Sequence, residues 1–165
     1  IIAAIPGWTT GGGHSLMVVA DMAVASRENA RFKQVDANVG SFDAGYGSAL
    51  LARQIGDKRA REIFFLAETY TAEQAERWGL VNKVVPNEQL LDEAKAYGNK
   101  IAQYSPTALR FLKHSFNADT DHQGGLSLLA EDGLNTFLQT DEAKEGAAAF
   151  AEKRKPDFEK YVQGH

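Results

Sequence analysis

The sequence predicts an α/β fold in which strand–helix units come first and a run of helices comes last. Three observations point there. A β-branched-rich run, Ile1–Ile5, is closed by Pro6-Gly7 and soon followed by three glycines. Short apolar runs then alternate with helical patterns as far as Pro86, and beyond Pro86 every periodic stretch is helical.

Residues 1–5 read as a strand ended by the Pro6-Gly7 turn. After Gly11, Gly12 and Gly13, the stretch "HSLMVVADM" predicts a buried helix, with "AVAS" a short strand behind it. "ARFKQ" (30–34) alternates as a further strand, and "VDANVGSFDAGYGS" is a glycine-punctuated loop. "ALLARQIG" and "DKRAREIFFLAE" predict two helices, with Gly56 at C′ of the first and Asp57 as N-cap of the second. In "TAEQAERWG", Thr71 and Gln74 have the spacing of a capping box and Gly79 ends the helix. "LVNKVV" is a buried strand closed by Pro86. Asn87 is expected to cap "EQLLDEAKAYGNKIAQY", and Ser105-Pro106 to be an N-cap with proline at the first helical position. Leu109, Leu112 and Phe116 then recur at helical spacing. Gly124-Gly125 precede the helix "LSLLAEDGLNTFL", and Asp141 opens "DEAKEGAAAFAEKR", which Pro156 stops. The expected division is residues 1–86 for the mixed part and 87–165 for the helical part.

Composition narrows the class of function. The 165 residues are 44% hydrophobic and 24% charged, an ordinary globular balance with room for one real core. Net charge is −4 and the pI near 5.6, with basic runs such as "KRKPDFEK" interleaved with acids, so no nucleic-acid partner is expected. Cysteine is absent, which excludes disulfides and thiolate catalysis and fits a reducing compartment, the cytoplasm by default. No apolar run is long enough for a membrane span. Ile1–Ile5 is too short, and lacks the basic flank, for a signal peptide. The chain begins without Met inside an apolar run, as a chain entered partway through a domain would.

Two constellations carry chemistry. The glycines at 11–13 do not make a phosphate loop, because Gly12 is followed by Gly13-His14 rather than by Lys and a hydroxyl residue. A dinucleotide fingerprint starting at Gly11 would need glycine at Leu16. They can be a tight turn, or they can present a backbone N–H near Gly12, at a helix start, to a carbonyl oxygen that becomes negative. The second set is Asp36, Ser41 and Asp43, punctuated by Gly40, Gly45 and Gly47. These carboxylates can be an acid/base set if burial raises a pKa, or turn residues bonded to their own backbone. His14, His114, His122 and His165 lack metal spacing, so no metal is expected, and His14 suits an orienting or packing role. Ser15 has no paired histidine to activate it.

In order and spacing, "PGWTTGGGHSL", "ARFKQVDANVGSFDAGYGSALLARQIG", "AREIFFLAETYTAEQAERWGLVNKVV" and "KRKPDF" resemble the crotonase superfamily of acyl-CoA enzymes, and within it the naphthoate-synthase branch. The resemblance covers essentially the whole chain. It implies a crotonase-like ββα spiral core, of which residues 1–86 are the C-terminal portion, and a helical trimerisation region over 87–165, assembled as a homo-oligomer (trimer or hexamer). It implies intramolecular Claisen closure of o-succinylbenzoyl-CoA in menaquinone biosynthesis. Gly12 would be an oxyanion donor and Asp36 the acid standing where another branch holds bicarbonate. Ser41 would bind the substrate carboxylate beside Asp43. Gly11, Gly13, Gln34, Gly40 and Tyr46 would border the acyl-CoA, with Phe150 and Lys153 touching the CoA adenine and phosphate of a neighbouring subunit. CoA enters as part of the substrate, and no tightly bound cofactor is expected.

Related hydratases use two glutamates, which fall at Ser15 and Asp36 here, so simple hydration is not expected. Three features depart from the family pattern. The Gly-Gly-Asp stretch supplying the second oxyanion N–H has no counterpart, a tyrosine position is Leu138, and a threonine position is Leu134. The acyl group therefore stays open. So do two other readings: a ring-opening β-ketoacyl-CoA hydrolase, and a non-catalytic chain that binds CoA or assembles with partners.

Overall fold

The computed structural model describes residues 1–162. These residues build two three-stranded sheets. In the first, β1 (Ile2–Ile5) lies parallel to β3 (Met22–Ser26), and β3 lies parallel to β6 (Lys83–Val85). In the second, β2 (Trp8–Thr10) is parallel to β4 (Arg31–Lys33), which is antiparallel to β5 (Tyr70–Thr71). From β1 to β4, consecutive strands thus alternate between sheets, and β5 then joins β4 before β6 returns to the first sheet. Pro6-Gly7 turns the chain from β1 into β2, and α1 (Gly12–Val19) returns it to β3. This repeated strand–strand–helix step is the spiral expected for the α/β fold class.

α2 (Gly47–Ile55) and α3 (Asp57–Leu66) follow the loop, and α4 (Ala72–Trp78) leads into β6. The main core lies between these helices and the sheets, with Phe32 and Leu51 fully buried and Tyr70 stacked on Phe32. α5 (Leu90–Ile101) covers another part of the β1-β3-β6 sheet through a smaller cluster of Val24, Val85 and Leu90. α6 (Pro106–Ala118), α7 (Gly124–Phe137) and α8 (Asp141–Ala151) complete the helical part.

Several predicted boundaries shift for physical reasons. β2 and β5 escape sequence reading because runs of three and two residues carry no period. α1 starts at Gly12, so the glycines are its cap and first turn rather than a preceding loop. Asp57 is the first helical residue of α3, not its N-cap, which is Gly56; its carboxylate still faces the positive end of the helix. Asn87 does not cap α5: residues Asn87–Gln89 form a 3₁₀ turn first. Gly124 and Gly125 lie inside α7, and α8 ends at Ala151, before Pro156 can act. The capping box is as expected, with Gln74 N donating to Thr71 Oγ1 (3.3 Å) and Thr71 N to Gln74 Oε1 (2.8 Å). Ser105 caps α6 through Ala108 N. The Leu109–Phe116 stripe is not core, since Phe111, Leu112 and Phe116 of α6 are exposed.

α8 is held against the 3₁₀ turn Asp36–Val39 by two glycines. Gly40 takes φ +70°, and a Cβ there would meet Ala143 Cα at 3.1 Å; a Cβ on Gly146 would lie 2.6 Å from Gly40 N. Both partners are backbone, which cannot swing aside. Gly146→Ala should therefore lower unfolding stability by about 1–3 kcal/mol, the usual cost of overpacking a closed contact. Denaturant unfolding measures it; an unchanged midpoint would mean that α8 does not press on the turn.

Candidate functional site

The site follows from one pairing. Thr10 of β2 stands opposite Lys33 of β4 in parallel register. Both strands end on the same side of the sheet, so Gly11–Gly13 and Gln34–Asp36 leave it next to each other. Carboxyl ends of neighbouring parallel strands are where α/β folds gather ligand-binding loops. A Cβ placed on Gly11 would come within 4.0 Å of Val35 Cγ2, which fixes the proximity of the two segments.

Gly11 caps α1 with φ +49° and ψ −126°, a backbone shape that a side chain would strain. The first helical hydrogen bond runs from Ser15 N to Gly11 O (3.1 Å). The N–H groups of Gly12, Gly13 and His14 precede it and have no acceptor within the helix. Cβ positions at Gly12 and Gly13 meet nothing within 4 Å, so this helix end is open. An oxyanion approaching it would meet free N–H donors and the positive end of the helix dipole.

Beneath the open end lies a buried polar chain. His14 and Gln34 are both fully buried. Gln34 Nε2 donates to His14 Nδ1 (3.3 Å) and reaches Ser15 Oγ (3.5 Å), while His14 Nε2 is hydrogen-bonded to Tyr70 Oη. With Nδ1 accepting, Nε2 carries the ring proton. Ser15 Oγ donates to Asp43 Oδ1 (3.2 Å), and Ser48 N donates to Asp43 Oδ2 (2.6 Å). Burial lowers the His14 pKa to about 4, against a smaller upward pull from Asp43, so the ring is neutral at neutral pH. Burial likewise pushes the Tyr70 phenol upward. Of the orienting or packing role expected for His14, the packing is seen: the ring lies edge-on to Phe32 and Tyr70.

Asp36 opens the 3₁₀ turn, and its carbonyl accepts from Ser41 N (2.8 Å), which binds the two residues into one loop. Burial raises its carboxyl pKa, its own backbone N–H opposes this, and the charge of Asp43 adds to the rise. Asp36 Oδ2 is buried with no hydrogen-bond partner, and so is Gln34 Oε1. A carboxylate held above its ordinary pKa with an unfilled lone pair is equipped to take a proton.

The structure thus brings together Gly11, Gly12, Gly13, Gln34, Asp36, Ser41 and Asp43. It does not enclose them in a single cavity. Ser41 borders a groove of about 560 Å³ with Phe42, Phe137, Glu142 and Tyr161. Asp43 borders a second of about 410 Å³, and Gly13 a third of about 510 Å³ beside Trp8 and Leu16. Tyr46 precedes α2 with its hydroxyl toward Gly124 of α7. Gly40 is buried under α8. Phe150 is exposed at the end of α8, and Lys153 follows it with a left-handed backbone. His165 lies outside the described residues. Among the described residues, no group of three His, Cys, Asp or Glu side chains could hold a metal, and no helix is long and apolar enough to cross a membrane. Ser48 and Tyr70 escape the sequence reading of the site, and Ser15 enters it only as a serine without a paired histidine, because their partners lie on other elements.

The sequence profile described as enoyl-CoA hydratase/isomerase matches residues 1–161. The chain is 52% identical over 158 residues to 1,4-dihydroxy-2-naphthoyl-CoA synthase of Mycobacterium tuberculosis, in strains CDC 1551 / Oshkosh and ATCC 25618 / H37Rv. That alignment takes in 96% of this chain and 50% of the relative, so the chain spans about half the length of the curated relatives it matches. Among solved structures, a carnitinyl-CoA hydratase from Mycobacterium avium superposes with TM-score 0.89 at 29% identity, over 96% of this chain and 62% of that one. An enoyl-CoA hydratase/isomerase from Pseudoalteromonas atlantica T6c gives TM-score 0.88 at 27% identity, over 96% and 64%.

The buried imidazole makes stability depend on pH. His14 has a folded pKa of about 4 against 6.5 when free, so the unfolded chain binds the extra proton between those values. Stability is complete above pH 6.5 and falls as pH drops toward 4. Between pH 7 and pH 5 the unfolding free energy should drop by about 2 kcal/mol from this group. Urea unfolding at both pH values tests it, and the drop should shrink in His14→Gln.

Proposed function

The chain belongs to the enoyl-CoA hydratase/isomerase family, and on that footing we propose that it carries the chemistry of a cytoplasmic 1,4-dihydroxy-2-naphthoyl-CoA synthase, a carbon–carbon bond-forming enzyme acting on an acyl-CoA thioester. The observation that carries this reading is Asp36, whose Oδ2 is buried and unpartnered and which follows Val35, the residue lying against the Gly11 cap of α1. Asp36 takes the proton α to the thioester of o-succinylbenzoyl-CoA. The Gly12 N–H, with the helix dipole behind it, stabilises the enolate oxygen, and the α-carbanion adds to the carbon of the aromatic carboxyl group to close the second ring. The carboxyl C–O bond then breaks, its oxygen leaves as water with the proton that Asp36 took up, and the ring diketone enolises. Ser41, tied to the Asp36 carbonyl, meets the substrate carboxylate. With a carboxylate at 36, the chain itself supplies the base and a bound bicarbonate is not required.

A ring-opening hydrolase is the competing reading. Leu134 of α7 and Leu138 at its C-cap favour it, because they offer no hydroxyl to an aromatic substrate. Release of free CoA from a 2-ketocyclohexane-carboxyl thioester would identify it.

Ring closure of o-succinylbenzoyl-CoA, followed by absorbance, tests the proposal. Asp36→Asn should slow it at least ~100-fold, as loss of a general base does. Unsubstituted protein should lose rate as pH falls through an Asp36 pKa above the ordinary aspartate value, since only the ionised form accepts the proton. Gly12→Pro removes the N–H at a helical position that tolerates proline, and should cost about 100- to 1,000-fold; Gly12→Ala, with open space around its Cβ, should keep most of the rate. Equal rates for Gly12→Pro and Gly12→Ala would discard the oxyanion role.

We also propose self-association through the helical part, where Phe111, Leu112 and Phe116 of α6 and Leu128 and Leu129 of α7 are exposed. Light scattering should give a trimer or hexamer of the 18.0 kDa chain; a monomer at working concentration refutes it.

A further inference from the structure

Ser15 has no place in the proton abstraction proposed above, yet it sits where three elements meet. Its hydroxyl, on the first turn of α1, receives from Gln34 Nε2 at the end of β4 and donates to Asp43 Oδ1 in the loop. The other oxygen of Asp43 receives the Ser48 N–H in the first turn of α2. The directions are set by chemistry. Asp43 as a carboxylate can only accept, so the Ser15 proton points to it, and the Ser15 lone pairs face the Gln34 amide. Turning the amide around would set Gln34 Oε1 against the oxygen of Ser15.

The neighbouring space is matched to a serine. A Cβ on Gly47 would overlap Ser15 Oγ, lie 2.9 Å from Ser15 Cβ, and lie 3.0 Å from Asp43 Oδ1. The start of α2 therefore stays bare where the hydroxyl and carboxylate meet. The segment from Asp36 to Asp43 is in this way tied at one end to β4 and at the other to both α1 and α2. Helix α1 also carries Gly12, so the oxyanion donor and the acidic loop are held in one frame.

We propose that Ser15 is a positioning residue, whose hydroxyl fixes the Asp43 carboxylate in the loop that bears Asp36 and locks that loop to the open end of α1. This rests on the reading of Asp36 as base and extends it to a residue that touches no reacting atom. The bond lies between side chains 28 positions apart, so it sets the tertiary placement of the loop and not its local turn.

The test uses Ser15→Ala, Ser15→Thr, Asp43→Asn and the Ser15→Ala/Asp43→Asn pair, in the full chain. Two readouts are taken: ring-closure kinetics, and hydrogen exchange of the Ser48 amide by NMR. Ser15→Ala should lower kcat about 10-fold with KM within about twofold, the scale of one hydrogen bond to a charged group. The double variant should be no slower than Asp43→Asn alone, because both changes break the same link. Ser15→Thr, which keeps the hydroxyl, should recover the rate. The Ser48 amide should exchange about tenfold faster in Ser15→Ala and near the original rate in Ser15→Thr. Unchanged Ser48 exchange in Ser15→Ala, or fully additive losses in the double variant, overturns the proposal. If the unsubstituted chain closes no ring, the proposed function fails, and the Ser48 amide decides the role of Ser15 by itself.

Discussion

The parallel pairing of β2 with β4 is the constraint on which the site depends. Each strand is only three residues long, and neither would hold its place alone. Their register sets Thr10 beside Lys33, and every residue discussed as reactive leaves the sheet from one of those two ends or from the loop that continues β4. A slip of one residue would turn Phe32, fully buried between the sheet and helices, outward, so the core itself fixes the register. Packing thus sets the distance between the glycine-capped helix and the acidic turn, and neither segment needs long-range chemistry of its own to find the other.

Beneath that pairing the molecule buries more polarity than a simple core would. His14, Gln34 and the Tyr70 hydroxyl lie inside, and buried polar groups stabilise a fold only when each has a partner. The chain His14–Gln34–Ser15–Asp43 supplies most of them. Gln34 Oε1 and Asp36 Oδ2 remain without one. Two unpartnered buried acceptors two residues apart, on the exit from β4, are a stability cost concentrated where the proposed chemistry occurs.

Local signals were legible in the sequence where the physics is local. Thr71 and Gln74 announced a capping box, Ser105-Pro106 a helix start, and the glycines at 40–47 a break between β4 and α2, because caps and turns act over three or four residues. Asn87 misled for the same reason: a good cap type offers its side chain, but the chain first took a 3₁₀ turn. β2 and β5 were invisible, since two or three residues owe their extended shape to a neighbouring strand. The apolar stripe of α6 was read correctly as helical, while its exposure depends on what packs against it. The Ser15–Asp43 bond lies beyond any window, being formed when α1 and α2 come together over Gly47.

That bond also bears on which reaction this framework can support. By the resemblance, related hydratases carry a glutamate at position 15. Here the group facing position 15 is the Asp43 carboxylate, 3.2 Å from the Ser15 oxygen, and the wall behind is kept open only by the missing Cβ of Gly47. A glutamate at 15 would set two negative charges against each other in a part-buried space and would strip Asp43 of a donor. A donor at 15 and an acceptor at 43 are therefore complementary, and among the described residues Asp36 Oδ2 is a buried carboxylate oxygen without a partner. One base beside one helix end suits removal of a proton from carbon and stabilisation of the resulting enolate.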